Sequence, residues 1–133
     1  MPQFSKKSEE RLETCCEPLQ ILFNRIILHY DCTVLEGNRS KEVQNEYFRT
    51  GRSKVRWPDS AHNDLPSTGI DVAPYPIDWN DRERFVAFGS YVRGYADCMG
   101  YRIRWGGDWD GDHNLRDQTF MDLVHFEYHG VRV

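Results

Sequence analysis

The chain has 133 residues, 39% of them hydrophobic and 14% aromatic, and its formal net charge at pH 7 is −4. A chain of this length can bury a core of its own, so we predict one domain over residues 1–133. The aromatic content argues against a disordered protein, and the negative charge argues against nucleic-acid binding, which needs a basic surface. No apolar run approaches the roughly 18 residues of a membrane-spanning helix, so we expect no integral membrane segment.

The first half of the chain is predicted to contain a long helix followed by a strand. Apolar residues recur at steps of three and four over residues 8–29, which is the helical pattern, with Ser8 as its N-cap. Pro18 lies inside this pattern and is expected to kink or divide the helix. A short strand is predicted over residues 31–36, where Thr33-Val34-Leu35 forms the centre.

A second helix is predicted over residues 40–50, with Ser40 as its N-cap. Its apolar stripe is formed by Val43, Tyr47 and Phe48. Residues 51–67 are polar and are predicted to form a loop. The remaining elements are predicted to be a strand over 69–73, a helix over 80–99 capped by Asn80, a strand over 101–105, an acidic loop over 106–117 and a strand over 122–128. This mixture favours an α+β fold with a small antiparallel sheet and flanking helices.

The N-terminal residues and the cysteines bear on the compartment. Residues 1–13 are polar and charged, without the apolar segment of a signal peptide, so we expect the chain to be cytoplasmic on synthesis. The cysteines form no C-x-x-C pair, and two adjacent cysteines are awkward in a disulfide framework. We therefore expect reduced thiols that pack in helices and strands rather than act as nucleophiles. These residues are Cys15, Cys16, Cys32 and Cys98.

Two groups of residues have a composition that suits a metal site. His62 lies in the polar loop and Asp71 in the strand after it, while Asp122 precedes His125 by three residues. Two imidazoles and one carboxylate suit a catalytic zinc ion, with the fourth position left for water. A further carboxylate can act as the general base. From spacing alone, a purely structural role for these residues is an equally good interpretation.

The residues around these groups carry a resemblance to a known family, in the family's order and over residues 35–128. The matching segments are Gly37-Asn38-Arg39-Ser40-x-x-x-Gln44, Ser60-x-His62-Asn63-x-x-Pro66-Ser67-x-x-x-Asp71-Val72 and Asp122-Leu123-x-His125-Phe126-Glu127. They resemble the zinc peptidoglycan peptidases, which include D-Ala-D-Ala carboxypeptidases and the L-alanyl-D-glutamate endopeptidases of phage endolysins. The resemblance implies a hedgehog/DD-peptidase-like fold with the zinc site on the sheet.

The resemblance also implies roles for individual residues. It makes His62, Asp71 and His125 the zinc ligands and Asp122 the base that passes a proton from water to the leaving amine. Arg39 would face the scissile carbonyl or a substrate carboxylate. The spacing from His62 to Asp71 is longer than in the commonest family pattern, which affects the expected rim of the pocket more than the metal site.

The function predicted from this resemblance is zinc-dependent hydrolysis of peptidoglycan stem peptides by a monomeric phage endolysin that acts at the cell wall after release. We favour an L-alanyl-D-glutamate endopeptidase. A D-Ala-D-Ala carboxypeptidase is the alternative, and a non-catalytic peptide- or wall-binding module on the same scaffold is a third interpretation.

Three further sets of residues are weaker candidates. His113 and His129 rank low as alternative ligands, and Glu127 is expected either to join the site or to hydrogen-bond a ligand. Some of the tryptophans could line a groove, although packing is the better interpretation for at least two of them. These are Trp57, Trp79, Trp105 and Trp109.

The loop after the third predicted strand is a candidate calcium site. Oxygen-bearing side chains stand on alternate residues at Asp108, Asp110, Asp112 and Asn114. Calcium takes six to eight oxygen ligands, and alternation gathers several of them in a short loop. A cation would also relieve the repulsion among three carboxylates. An acidic solvated loop is the competing interpretation, and some phage relatives that the sequence resembles use calcium beside the zinc site.

Overall fold

A computed structural model describes residues 1–117 and 121–132, with the side chain of Asp117 left out. Within these residues, four helices and four strands follow one another, with short 3₁₀ turns at Ala61–Asn63 and Leu115–Asp117. The elements are α1 (Lys6–Leu12), α2 (Glu17–Ile26), β1 (Cys32–Glu36), α3 (Lys41–Arg49), β2 (Gly69–Pro74), α4 (Arg82–Cys98), β3 (Tyr101–Gly106) and β4 (Asp122–Val131). Within the described ranges, no helix is both long and apolar enough to cross a membrane.

The strands form one antiparallel sheet in the order β1-β2-β4-β3. This arrangement confirms the predicted α+β class with an antiparallel sheet. In the pairing of the two central strands, Asp71 on β2 lies opposite His125 on β4. Because side chains alternate between the two faces of a strand, this register places the two residues side by side on one face.

The core lies between the other face of the sheet and the helices. On that face, Ile70 and Val72 flank Asp71 in the chain and are fully buried. Phe126, next to His125, packs edge-on against Phe23 of α2, with ring centroids 5.7 Å apart. The same residues that anchor the sheet to the helices thus fix the positions of Asp71 and His125 on the opposite face.

Helix α4 can approach the sheet closely because Gly89 has no side chain. A Cβ atom at Gly89 would lie 2.2 Å from the buried indole of Trp105. The Trp105 indole N–H is satisfied at the same time, since it donates to the Leu123 carbonyl at 2.9 Å. Trp105 is therefore a core residue, as expected for at least two of the tryptophans.

The predicted helix over residues 8–29 is two helices. The chain turns between Leu12 and Glu17, and Pro18 lies in the first turn of α2, where its missing N–H costs nothing. The N-cap of α1 is Ser5 rather than Ser8. Ser8 is buried, and its hydroxyl instead accepts a hydrogen bond from the Val34 backbone N–H at 3.1 Å. A serine cap and a serine that ties a helix to a strand look alike in sequence.

The predicted apolar stripe of α3 is wrong. Ser40 does cap the helix, but Val43 is 40% exposed and Phe48 is 36% exposed. The buried residue is Gln44, whose amide donates to Ser53 Oγ at 2.9 Å and to the Val55 carbonyl at 2.8 Å. Helix α3 therefore supports a polar loop instead of adding to the core.

Smaller differences concern the caps and the cysteines. The N-cap of α4 is Asp81 rather than Asn80. Cys15 and Cys32 are buried, and burial raises the pKa of each thiol to about 12. Cys98 is exposed on α4, so the packing role predicted for it is wrong.

Candidate metal centre

Three separate elements bring the predicted ligands together. Asp71 and His125 come from the central strands, and His62 comes from the 3₁₀ turn that precedes β2. This turn is held by a capping box in which Ser60 Oγ accepts from the His62 backbone N–H and Asn63 Oδ1 accepts from the Ser60 N–H. Ser60 thus fixes the backbone of His62 and does not bond to its ring.

The three candidate ligand atoms form a small triangle. His62 Nε2 lies 3.0 Å from Asp71 Oδ1 and 3.1 Å from His125 Nδ1. His125 Nδ1 lies 3.0 Å from the same Asp71 oxygen. Ligand atoms of a tetrahedral zinc ion with bonds of about 2.0–2.1 Å are about 3.3 Å apart, so a small outward movement accommodates the ion. The donor set and its spacing therefore fit a zinc ion.

Hydrogen bonds on the far side of each imidazole direct the correct nitrogen toward the centre. His62 Nδ1 lies 2.7 Å from the Gly37 carbonyl, which can only accept, so Nδ1–H donates to it and Nε2 is the ring nitrogen that faces the centre. His125 is held the other way round, since Nε2 donates to Glu127 Oε1 at 2.9 Å. Partners of this kind fix the tautomer and orientation of metal-binding histidines.

The electrostatics of the group favour a bound cation. Burial acts to raise the pKa of Asp71, but hydrogen bonds with His125 and His62 outweigh it and hold that pKa well below its usual value. Burial acts to lower the pKa of His125, yet hydrogen bonds to Asp71 and Glu127 raise it to about 9. The carboxylates thus stabilise a positive charge at this point, which a bound divalent cation would supply in place of a proton.

Asp122 lies at the start of β4, where it lines the same cleft as His62 and His125. Its backbone is packed against β3, and a Cβ atom at Gly106 would lie 2.1 Å from the Asp122 carbonyl oxygen. Burial raises the pKa of Asp122, and the negative charge of Asp71 raises it further. A carboxylate with a raised pKa beside a metal position is suited to accept and return a proton.

Arg39 lies in the cleft wall with its guanidinium held on several sides. Nε and Nη2 donate to Glu36 Oε1, and Nη1 donates to Gln44 Oε1 at 2.8 Å. The guanidinium also lies over the Tyr47 ring, 4.7 Å from its centroid. The Arg39 backbone N–H donates to the His62 carbonyl at 2.7 Å, which ties this segment to the metal centre.

The cleft has a volume of about 540 Å³ and carries charges of both signs. It is large enough for several residues of an extended peptide. Trp109 forms part of one wall and packs against His125 with ring centroids 5.6 Å apart. The charged residues of the lining are Arg39, Arg52, Lys54, Arg104, Asp59, Asp110, Asp122 and Glu127.

The weaker candidates are placed as follows. Glu127 hydrogen-bonds a candidate ligand and does not join the three ligand atoms. His129 lies outside the group, with Nε2 2.9 Å from Glu127 Oε2. His113 is in the acidic loop, where its backbone N–H donates to Asp108 Oδ2 at 2.8 Å. Sequence spacing did contain a signal for Glu127, since it stands two residues after His125 and hence on the same face of β4.

Sequence reasoning missed two supporting residues. The sequence motif contains Gln44 and Asn63 without indicating a role for either. In the structure, Asn63 Nδ2 donates to the Arg39 carbonyl at 3.2 Å and lies 3.3 Å from Gln44 Oε1. Together they join the Arg39 segment, α3 and the turn that carries His62. The side-chain amides at these positions were the signal, because a buried amide holds backbone groups in place.

The acidic loop brings three carboxylates together. Ligand oxygens of Asp108, Asp110 and Asp112 lie within 4.8 Å of one another. Asp108 is buried, its Oδ2 accepts from Arg93 at 2.7 Å, and its Oδ1 has no hydrogen-bond partner among the residues described. Asn114 Oδ1 accepts from the Arg116 backbone N–H at 3.0 Å.

Comparison with known proteins gives consistent results along nearly the whole chain. The model of a family described as phage L-alanyl-D-glutamate peptidase matches residues 1–129. The L-alanyl-D-glutamate peptidase of Escherichia phage T5 is 30% identical over 121 residues, covering 87% of this chain and 88% of that protein. The crystal structure of the Serratia marcescens L-Ala D-Glu endopeptidase ChiX matches with a TM-score of 0.75 and 26% identity, covering 96% of this chain and 90% of that one.

Proposed function

We propose, because the chain belongs to the phage L-alanyl-D-glutamate peptidase family, that it hydrolyses the L-alanyl-D-glutamate bond of peptidoglycan stem peptides and serves as a zinc-dependent phage endolysin. The observation that carries the proposal is the convergence of His62 Nε2, Asp71 Oδ1 and His125 Nδ1 in a cleft that Asp122 also lines. We propose that the protein is a single-domain monomer and acts at the cell wall after its release from the cell.

The metal we propose is zinc, held by His62, Asp71 and His125. Two imidazole nitrogens and one carboxylate oxygen are a common donor set of catalytic zinc, and each histidine has the supporting hydrogen bond that such ligands usually have. When bound, zinc would polarise the peptide carbonyl and lower the pKa of a water molecule.

Asp122 is the residue to which we assign proton transfer. It would take a proton from the attacking water and pass it to the leaving amine of the glutamate residue. Its burial and the neighbouring Asp71 charge raise its pKa above the ordinary value of an aspartate, which makes it a better base than an exposed aspartate. A binding module would have no use for such a buried carboxylate, which speaks against the non-catalytic interpretation.

Arg39 is assigned to the carbonyl oxygen of the scissile bond. The bonds from its guanidinium to Glu36 and Gln44 hold it rigidly in the cleft wall. A fixed donor stabilises the charge that develops on this oxygen without reorganisation during the reaction.

The D-Ala-D-Ala carboxypeptidase alternative is less well supported, because both relatives described above are named for the L-alanyl-D-glutamate bond.

We also propose that calcium binds Asp108, Asp110 and Asp112, with Asn114 in the same loop. The support is the unpartnered, buried Asp108 Oδ1 beside two exposed carboxylates. Between two of these aspartates stands Trp109, which packs against His125. Ordering this loop would therefore steady one wall of the cleft.

Digestion of purified muropeptides, followed by mass spectrometry of the products, tests the proposed function. The expected products separate after L-alanine, and a zinc chelator abolishes their formation until zinc is restored. Release of terminal D-alanine would instead assign the carboxypeptidase activity, and peptide binding without any product would assign a binding module.

A further inference from the structure

The substrate of the proposed function brings a negative charge next to the bond that is cut. D-glutamate has two carboxyl groups, and the peptide continues through at most one of them. When the other carboxyl is not amidated, a carboxylate therefore remains on the leaving side of the scissile bond. A peptidase that reads this carboxylate needs a cation in the cleft whose charge is not already used within the protein.

Three of the four lysine and arginine residues that line the cleft are already engaged, Lys54 among them. Arg39 donates to Glu36 through two of its nitrogens, so its charge is balanced inside the wall. Arg104 donates to the Trp109 carbonyl at 3.1 Å, and its Nη1 lies 3.7 Å from Glu127 Oε2. Neither residue offers a free charge to a second carboxylate.

Arg52 differs from both. Its guanidinium lies on the ring of Tyr47, 4.1 Å from the centroid, and its backbone N–H donates to the Tyr47 carbonyl at 2.7 Å. Its side chain forms no ion pair within residues 1–117 and 121–132. Stacking engages the face of a guanidinium and leaves the N–H groups along its edge available, which is the geometry for bidentate binding of a carboxylate.

Tyr47 connects this cation to the metal centre. The Tyr47 ring contacts the guanidiniums of both Arg39 and Arg52, and both arginines line the cleft together with His62 and His125. The two arginines are therefore held on one aromatic ring, one with its charge balanced and one without.

We infer that Arg52 binds the free carboxylate of the substrate's glutamate residue, while Arg39 serves the carbonyl oxygen of the scissile bond. This inference rests on the proposed function and names what selects its substrate. It predicts a preference for stem peptides whose glutamate carboxyl is free over those in which it is amidated.

The experiment compares two stem peptides that differ only in whether that carboxyl is free or amidated, with zinc-loaded protein. Arg52→Gln should raise KM for the free-carboxylate peptide about 10- to 100-fold, the range for loss of a charge-assisted hydrogen bond pair, and change the amidated peptide little. Arg52→Lys should recover part of the loss. Arg39→Gln should instead lower kcat on both peptides alike.

Arg56→Gln is the matched control. Arg56 belongs to the same loop and also lies on an aromatic ring, that of Phe48 at 4.7 Å, but it does not line the cleft. The Arg56→Gln variant should leave kcat and KM unchanged for both peptides. If Arg52→Gln leaves the preference between the two peptides unchanged, the inference is overturned while the proposed function stands. If the wild-type protein cuts a different bond, both are overturned.

Discussion

The ligand group His62, Asp71 and His125 is assembled from a 3₁₀ turn and two neighbouring strands, whereas Asp108, Asp110 and Asp112 follow one another within one loop. In the first group, sheet register and core packing set the positions of the ligands. In the second, the chain itself holds the carboxylates close, and two of the three are exposed. The two regions therefore differ in how far the tertiary structure positions the ligands before a metal ion binds.

The local charges differ in the same sense. Two imidazoles flank the Asp71 carboxylate and stabilise its charge. In the loop, partial desolvation raises the pKa of Asp110, and hydrogen bonding with the neighbouring acids Asp108 and Asp112 raises it further. Arg93 already neutralises Asp108. We expect the first group to bind a metal ion tightly and the loop to bind one weakly.

The largest effect is expected from removing a ligand of the first group. His62→Ala or His125→Ala should lose both bound zinc and activity, because two remaining ligands compete poorly for the ion. Metal analysis of purified protein, together with a turbidity assay on permeabilised cells, measures both. His29→Ala replaces an exposed histidine that follows α2 and is not among the ligand residues. It serves as the control and should retain both zinc and activity. Full zinc content in the two site variants would refute the assignment of the ligands.

The next largest effect separates binding from catalysis. Asp122→Asn should keep about one zinc ion per chain and lose roughly 10²–10⁴-fold in kcat, the usual contribution of general acid–base catalysis. The amide is close in size to the carboxylate, so packing against Gly106 is preserved. Zinc content and kcat are measured on the same preparation. Near wild-type turnover would show that another carboxylate, Glu127 first, is the base.

A smaller effect is expected from the carboxylate behind His125. Glu127→Gln removes the charge that accepts the His125 Nε2–H bond, and loss of such a partner typically weakens metal binding about 10- to 100-fold. Competition with a chelator measures the affinity. His129→Gln is the matched control, because it removes a different, exposed partner of Glu127 and leaves the bond to His125 in place. Equal losses in the two variants would argue for a general electrostatic effect.

Sequence reasoning predicted the sheet and the three converging side chains better than it predicted the helices. Alternation of apolar residues around Asp71 and His125 specifies which face of the sheet each occupies, and the pairing of β2 with β4 places the two side by side. The stripe on α3 misled because Val43 and Phe48 have helical spacing but lie on an exposed face, where Arg56 covers the Phe48 ring. Apolar periodicity shows that a helix has an apolar side, but it does not show whether the protein core or a surface side chain covers that side.

The supporting hydrogen bonds were beyond sequence reasoning for a different reason. The partner of His62 Nδ1 is a backbone carbonyl, that of Gly37, and every residue has one. The role of Ser8 depends on where β1 passes α1, which no local pattern encodes. Contacts between a side chain and a distant backbone group leave no residue type to recognise.

The smallest effect is expected in the loop. Calcium at about 10 mM should raise the melting temperature by about 5 °C if the site binds with a dissociation constant near 1 mM, since ligand binding to the folded state alone stabilises it by about 1.4 kcal/mol at tenfold excess. Asp110→Ala combined with Asp112→Ala should abolish this shift and leave zinc content unchanged. Asp78→Ala, which removes an exposed aspartate before α4, is the control for the loss of surface charge and should keep the response.

Magnesium should raise the melting temperature little. It demands a regular octahedron of ligands, which a loop with a buried, Arg93-bonded Asp108 does not offer. Calorimetry that detects no calcium binding at millimolar concentrations would leave the loop an acidic solvated segment. The contrast between the two regions would then be one between a metal site and a cluster of repelling charges.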